Sequence, residues 1–320
     1  MKNFSNSYQK FILGLDEINY AVDHHINEFI NDIEKCYNDE LTKTVEYILS
    51  LKGKRVIVMI SGPSASGKTT TALMLREKLK SYGSGAALIS LDNFYRDRNE
   101  YQLEENGLID YESPDALDIQ AFKNCMADLL EKGYCDMPTF NFIEKRPNPK
   151  KSHIELRENE IAIIEGIHGL NPVFTKGLPD ESVVRIYISV KQGISDYNGQ
   201  VISNQEIRLI RRLVRDYDKR KSDPENTLTM WKNVCKGQTT FIYPFKRTSD
   251  ITINSLHLYE LGVMKNIAIP LLKQIQEDSP VFKNAFLLIS TLERFHSINA
   301  ELVPNSSMIR EFIGKSIYED

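Results

Sequence analysis

Residues 55–80 read RVIVMISGPSASGKTTTALMLREKLK, and three blocks follow one another in this stretch. Val56 to Ile60 is a short apolar run, as expected of a buried strand. Gly62-Pro63-Ser64-Ala65-Ser66-Gly67-Lys68-Thr69 fits the pattern G-x-x-x-x-G-K-[ST]. A helical pattern then runs from Lys68 to about Ser81, with Gly83 placed as its terminator. Strand, glycine loop and helix in that order open an α/β unit.

Further apolar runs lie at Ala86–Leu91, Ile161–Ile164, Val183–Val190 and Ile251–Ile253. They alternate with helical patterns and are apolar on both faces, which predicts a mainly parallel sheet covered on both sides. The expected class is a three-layer α/β/α fold. Residues 1–52 read as a helical N-terminal extension, 53–256 as the main domain and 257–320 as a helical C-terminal extension.

The chain has 320 residues, 41% hydrophobic and 26% charged, enough for a sizeable core. Its net charge of -4 argues against nucleic acid as a partner. No apolar run approaches the roughly 20 residues of a membrane span, and no signal peptide is legible, so the expected location is the cytoplasm. Cys36, Cys125, Cys135 and Cys235 are scattered without a C-x-x-C pair and are expected to be reduced. No zinc pattern and no Ser/His/Asp arrangement stands out.

The glycine loop carries a specific chemistry. Gly62 and Gly67 allow the backbone to turn its N–H groups inward. Those groups and the helix N-terminus bind phosphate oxygens. The candidate nucleotide-binding residues are Gly62, Ser64, Ala65, Ser66, Gly67, Lys68, Thr69 and Thr70. Lys68 is expected to reach the β- and γ-phosphates, and Thr69 to offer its hydroxyl to Mg²⁺.

Two acids stand where strands end, Asp92 after Ala86–Leu91 and Glu165 after Ile161–Ile164. Ligands of open α/β sheets bind beyond those ends. Asp92 and Glu165 can therefore divide metal binding and proton acceptance between them. Residues 206–216, EIRLIRRLVRD, place Arg208, Arg211, Arg212 and Arg215 on one helix face and Leu209, Ile210, Leu213 and Val214 on the other. A guanidinium cluster suits phosphate oxygens.

With SGPSASGKTT (61–70), SLDNFYRD (90–97), DYESPDALD (110–118), IAIIEGIHGLNP (161–172) and RLIRRLVRD (208–216) in this order, the chain resembles the phosphoribulokinase/uridine kinase family of P-loop kinases. GIHGLNP and VPNSSMIREFIG (303–314) are similar to a uridine kinase-like or nucleoside kinase subgroup, here without room for a TGS domain. The resemblance implies ATP with Mg²⁺, a small-molecule hydroxyl acceptor and an arginine-bearing lid at about 203–225. Self-association is common in the family, and no interface signature is legible here. By resemblance Asp92 is the catalytic base and a metal contact, Glu165 ends the Walker B-like strand, and Lys68, Arg208 and Arg212 act on the transferring group. Arg211 and Arg215 hold ATP.

The acceptor half departs from the family pattern. Glu112 stands where an aspartate binds the ribose hydroxyls, with Asp110 a second candidate and Tyr95 and Lys145 further ones. The family's Y-D-F-x-x-H stretch reads Phe140-Asn141-Phe142-Ile143-Glu144-Lys145, without the tyrosine hydroxyl and the histidine. Phe140 and Phe142 either stack on a ring or belong to the core. His168 either contacts substrate or caps its loop. Nucleoside kinase is the leading expectation. A phosphoribulokinase- or pantothenate kinase-like sugar or alcohol kinase, and a catalytically silent ATP-binding module, are the competing ones.

Overall fold

A strand that is apolar on both sides must lie between two layers of helices, and Ile57-Val58-Met59-Ile60 does. The computed structural model describes residues 14–51, 56–97, 112–141, 144, 146–157, 160–178 and 182–318. The described chain opens on α1 (Leu15–His24) and α2 (Ile26–Ser50). Strand β1 (Ile57–Ser61) leads through the glycine loop into α3 (Lys68–Ser81), and β2 (Ala86–Ser90) into a single 3-10 turn, Leu91–Phe94. Helix α4 (Ile119–Glu131) follows, then two nested antiparallel pairs made from β3 (Tyr134–Met137), β4 (Phe140–Asn141), β5 (Arg146–Pro147) and β6 (Ser152–Glu155). Next come β7 (Ile161–Glu165), the short α5 (Pro172–Thr175), β8 (Val183–Ser189) and the hairpin β9 (Ile194–Asp196) to β10 (Gly199–Ile202). The chain continues through α6 (Asn204–Arg220), α7 (Pro224–Gly237), β11 (Ile251–Asn254), α8 (Glu260–Leu272), α9 (Phe282–Glu293) and the single turn α10 (Arg310–Ile313).

Among the described residues, one five-stranded sheet has the order β11-β8-β1-β7-β2, with every pairing parallel. Strand β1 is central, so the loop that leaves it emerges between β7 and β8. Side chains alternate along it. Val58 and Ile60 enter a large core with α2, α3, α6, α8 and α9, while Ile57 and Met59 enter a second core with α4 and β3. The three expected layers are present.

Local sequence sets the helix starts. Ser203 and Glu206 form a reciprocal capping box at the head of α6. Asp118 accepts from the Ala121 N–H at 2.9 Å and caps α4. Gly83 sits just past α3 at φ 80°, the left-handed conformation that ends a helix at low cost for glycine.

The helical ends are built into the body. Leu41 and Val45 of α2 are wholly buried in the large core, as are Leu261 of α8 and Leu292 of α9. Tyr37 shares a 2.6 Å hydrogen bond with Thr71 of α3. The expectation of four reduced thiols needs correction. Cys125 of α4 and Cys135 of β3 are joined as a disulfide, with Cα atoms 5.4 Å apart. The turn at Gly133 folds β3 back along α4, and a spacing of ten residues gave no local sign of that. No described helix is long and apolar enough to cross a membrane.

Candidate active site

The glycine loop closes over the C-terminal end of β1. A Cβ on Gly62 would lie 2.0 Å from the Ile188 carbonyl oxygen, so only glycine fits there. Gly67 has φ 85° and packs against Met308. Ala65 also takes a left-handed conformation, φ 58°, an unusual choice for a side-chain-bearing residue that marks a loop held by its surroundings. The part-buried Lys68 directs its ammonium to the Pro63 carbonyl at 3.3 Å. Burial lowers its pKa, opposed by the charges of Glu165, Asp92 and Glu311.

The sheet register aligns the two strand-end acids. Ser90 pairs with Glu165 across β2 and β7, and Ile60 pairs with Glu165 across β1 and β7. Glu165 accepts from Ser90 Oγ at 2.7 Å and from Thr69 Oγ1 at 3.4 Å. Burial first, and the charge of Asp92 second, push its carboxyl from the usual 4.5 up to about 7. Asp92 stands in the turn directly after β2, where Ser90 Oγ receives its N–H.

The arginine face of α6 looks inward over the loop. Arg212 donates to Ser64 Oγ at 2.8 Å and pairs with Asp216 at 3.2 Å. Arg215 pairs with Asp216 at 2.8 Å and faces Glu311 at 3.9 Å. The other two arginines are held by groups of the protein itself. Arg211 is wholly buried and forms a bidentate pair with Glu260, at 2.6 and 3.0 Å, while also donating to the Ser255 carbonyl at 2.6 Å. Its donors are taken by the scaffold. Arg208, 2% exposed, donates to the Ser64 carbonyl at 3.1 Å and to Gln238, and its guanidinium lies 5.3 Å from the Trp231 ring centroid. Helical spacing shows which residues share a face. It does not show which of them face an internal carboxylate.

Two of the acceptor candidates, Tyr95 and Phe140, lie beside the turn that carries Asp92. Tyr95 and Phe140 have ring centroids 5.5 Å apart, and Asn93 Oδ1 accepts from the Phe140 N–H at 3.3 Å. Glu112 lies against Gly237 at the end of α7, where a Cβ would come within 2.4 Å of it. Its charge acts on Arg212. His168 is 1% exposed, stacked on Phe174 and edge-on to Phe241. The main chain of Glu112 lies beside its ring, and neither ring nitrogen makes a well-formed hydrogen bond with a described residue. Burial lowers its pKa to about 4, so the imidazole is neutral at neutral pH. Asp110, Phe142 and Lys145 lie outside the described residues.

From the sequence Asn93 and Glu311 carried no role, and Phe241 read as packing for the last strand rather than as part of a binding site. Asn93 sits beside Asp92 in a quoted stretch. Glu311 is 219 residues from Asp92, and no local pattern announces its return to the site.

A phosphate loop at the centre of a parallel sheet, acids at the neighbouring strand ends and arginines above the loop define a P-loop kinase. The profile of the "Phosphoribulokinase / Uridine kinase family" matches residues 57–261. The chain belongs to that family and is an ATP-dependent kinase that phosphorylates a hydroxyl. It is 27% identical over 203 residues to a uridine kinase of Ligilactobacillus salivarius, covering 63% of this chain and 86% of that one. A uridine kinase of Clostridium botulinum is 28% identical over 199 residues, 62% of this chain and 87% of the relative. Among solved structures, D-glycerate 3-kinase from Cryptococcus neoformans is similar with a TM-score of 0.47 at 14% identity, covering 63% of this chain and 88% of that one.

Proposed function

We propose that the chain transfers the γ-phosphoryl group of ATP to a hydroxyl of a nucleoside. The observation that carries this reading is the alignment of Asp92 and Glu165 at adjacent strand ends beside Lys68. The similarity to uridine kinases supports a nucleoside as acceptor. Asp92 takes the proton of the acceptor hydroxyl as its oxygen attacks the γ-phosphorus, and the bridging oxygen departs with ADP. Lys68 and Arg212 neutralise the charge that spreads over the transferring group. Arg215 binds the phosphates, and Arg208 holds the Ser64 carbonyl so that the loop keeps its shape. His168 and Glu112, with Tyr95 and Phe140, line the acceptor side.

The donor set fits Mg²⁺. Thr69, Asp92 and Glu165 offer hard oxygens, and the Glu165 carboxyl, raised by burial and then by the charge of Asp92, lies beside a second acid. Bound there, Mg²⁺ would supply neutralisation of the charge on the triphosphate.

A second reading, a sugar or alcohol kinase, draws on the missing tyrosine and histidine of residues 140–145. A site that hydrogen-bonds a base discriminates through such polar groups. ATP consumption measured over nucleosides, pentose phosphates and pantothenate separates the two. Phosphorylated nucleoside is the expected product. Turnover confined to a sugar phosphate or pantothenate would overturn the nucleoside assignment.

A further inference from the structure

The C-terminal segment returns to the donor site. Met308, Glu311 and Phe312 are spaced three and four residues apart, so they share one side of a helical turn. That side faces the catalytic elements. Met308 packs on Gly67, and Phe312 lies 5.1 Å from the Arg211 guanidinium. Glu311, between them, divides its carboxylate. Its Oε2 accepts from Thr70 Oγ1 at 2.8 Å, and its Oε1 faces Arg215 Nη1 at 3.9 Å. One side chain therefore bridges the first turn of α3 to α6.

The segment that presents Glu311 is itself anchored. Arg310 donates to the carbonyls of Ala300, at 2.8 Å, and Val303, at 2.5 Å. Ser307 donates to the buried Glu34 of α2 at 2.6 Å. Glu311 is thus a fixed carboxylate, and its charge also acts on Lys68 and Glu165.

We propose that Glu311 is a positioning residue of the nucleotide site, acting through Thr70 and Arg215; this rests on the assignment of Arg215 to the ATP phosphates. Without an acceptor at Oε2, the Thr70 hydroxyl is free to turn back to the carbonyl one helical turn earlier, as helix threonines do. Without Oε1, Arg215 is held by Asp216 alone. Both groups would then need ordering when the triphosphate arrives, which weakens binding.

The test is calorimetric binding of a non-hydrolysable ATP analogue with Mg²⁺, together with acceptor KM and melting temperature. Glu311→Ala is expected to weaken nucleotide binding about tenfold while the acceptor KM stays unchanged. Glu311→Gln keeps an oxygen for Thr70 and loses the charge facing Arg215. It should weaken binding less and melt with the wild type, which covers the case in which the alanine variant folds poorly. In the Arg215→Met background Glu311→Ala should cost less than it does alone, because part of its effect runs through Arg215. Wild-type affinity in Glu311→Ala and Glu311→Gln, or fully additive losses with Arg215→Met, would overturn the proposal alone. A wild type that binds no nucleotide would overturn it together with the donor-site reading.

Discussion

At the residue scale, the site consists of a few polar side chains placed by short loops at strand ends. Asp92 is in position because β2 stops at Ser90, whose hydroxyl receives the Asp92 N–H. As the base it should be irreplaceable by its amide. Asp92→Asn should lower kcat by roughly 10²–10⁴-fold, measured by steady-state ATP turnover, and near-normal kcat would remove the base assignment. Glu165 carries a pH signature. Its carboxyl is raised from 4.5 to about 7 in the folded chain, so its contribution to stability is full below its unfolded value and is lost as pH rises through about 7. The metal-free, nucleotide-free protein should therefore lose stability between about pH 5 and pH 7.5. Mg²⁺ with ATP should offset the loss. Thermal melts across that range, with and without Mg²⁺ and ATP, check both points.

At the element scale, α6 illustrates how one helix face can hold two kinds of arginine. Arg211 is wholly buried against Glu260. Arg211→Met would leave that carboxylate buried and unpaired, at a cost of about 3–5 kcal/mol in unfolding free energy. Arg212 is part-exposed and reaches the loop hydroxyl of Ser64. Arg212→Met should change stability much less and reduce turnover much more. Denaturant melts and turnover measured on both variants separate the two roles. If both lose stability equally, the division of the face is wrong.

At the scale of the whole molecule, the terminal helices are structural parts of the catalytic body. Leu41 of α2 is wholly buried in the core that also takes in Val58 and Ile60 of β1. Leu41→Ala should cost about 2–5 kcal/mol, and it should do so within a single unfolding transition read by both secondary-structure and aromatic signals. A separate early transition for the N-terminal helices would show that they fold on their own. The buried chain from Tyr37 through Thr71 to the Gly67 carbonyl, 2.6 and 2.5 Å long in its two links, ties α2 to the glycine loop itself.

The class of the molecule, and the strand-loop-helix unit on which the donor site is proposed, could be read from sequence alone. Strand, loop and helix around Gly62–Thr69 are local, because backbone N–H groups, two glycines and a helix start all lie within a dozen residues. The strands of the main sheet were legible for a similar reason. Residues buried on both faces must be apolar throughout, and α3 was bounded by the glycine loop before it and the stop at Gly83. The small pairs β3 with β6 and β4 with β5 were not legible, since two- and four-residue strands carry no period. That Arg211 serves Glu260, that Cys125 meets Cys135, and that Glu311 returns to Thr70 and Arg215 emerged only with the folded chain. Each of these depends on a partner brought close by the path of the chain. A pattern read along the sequence shows what a side chain offers, and packing decides which group receives it.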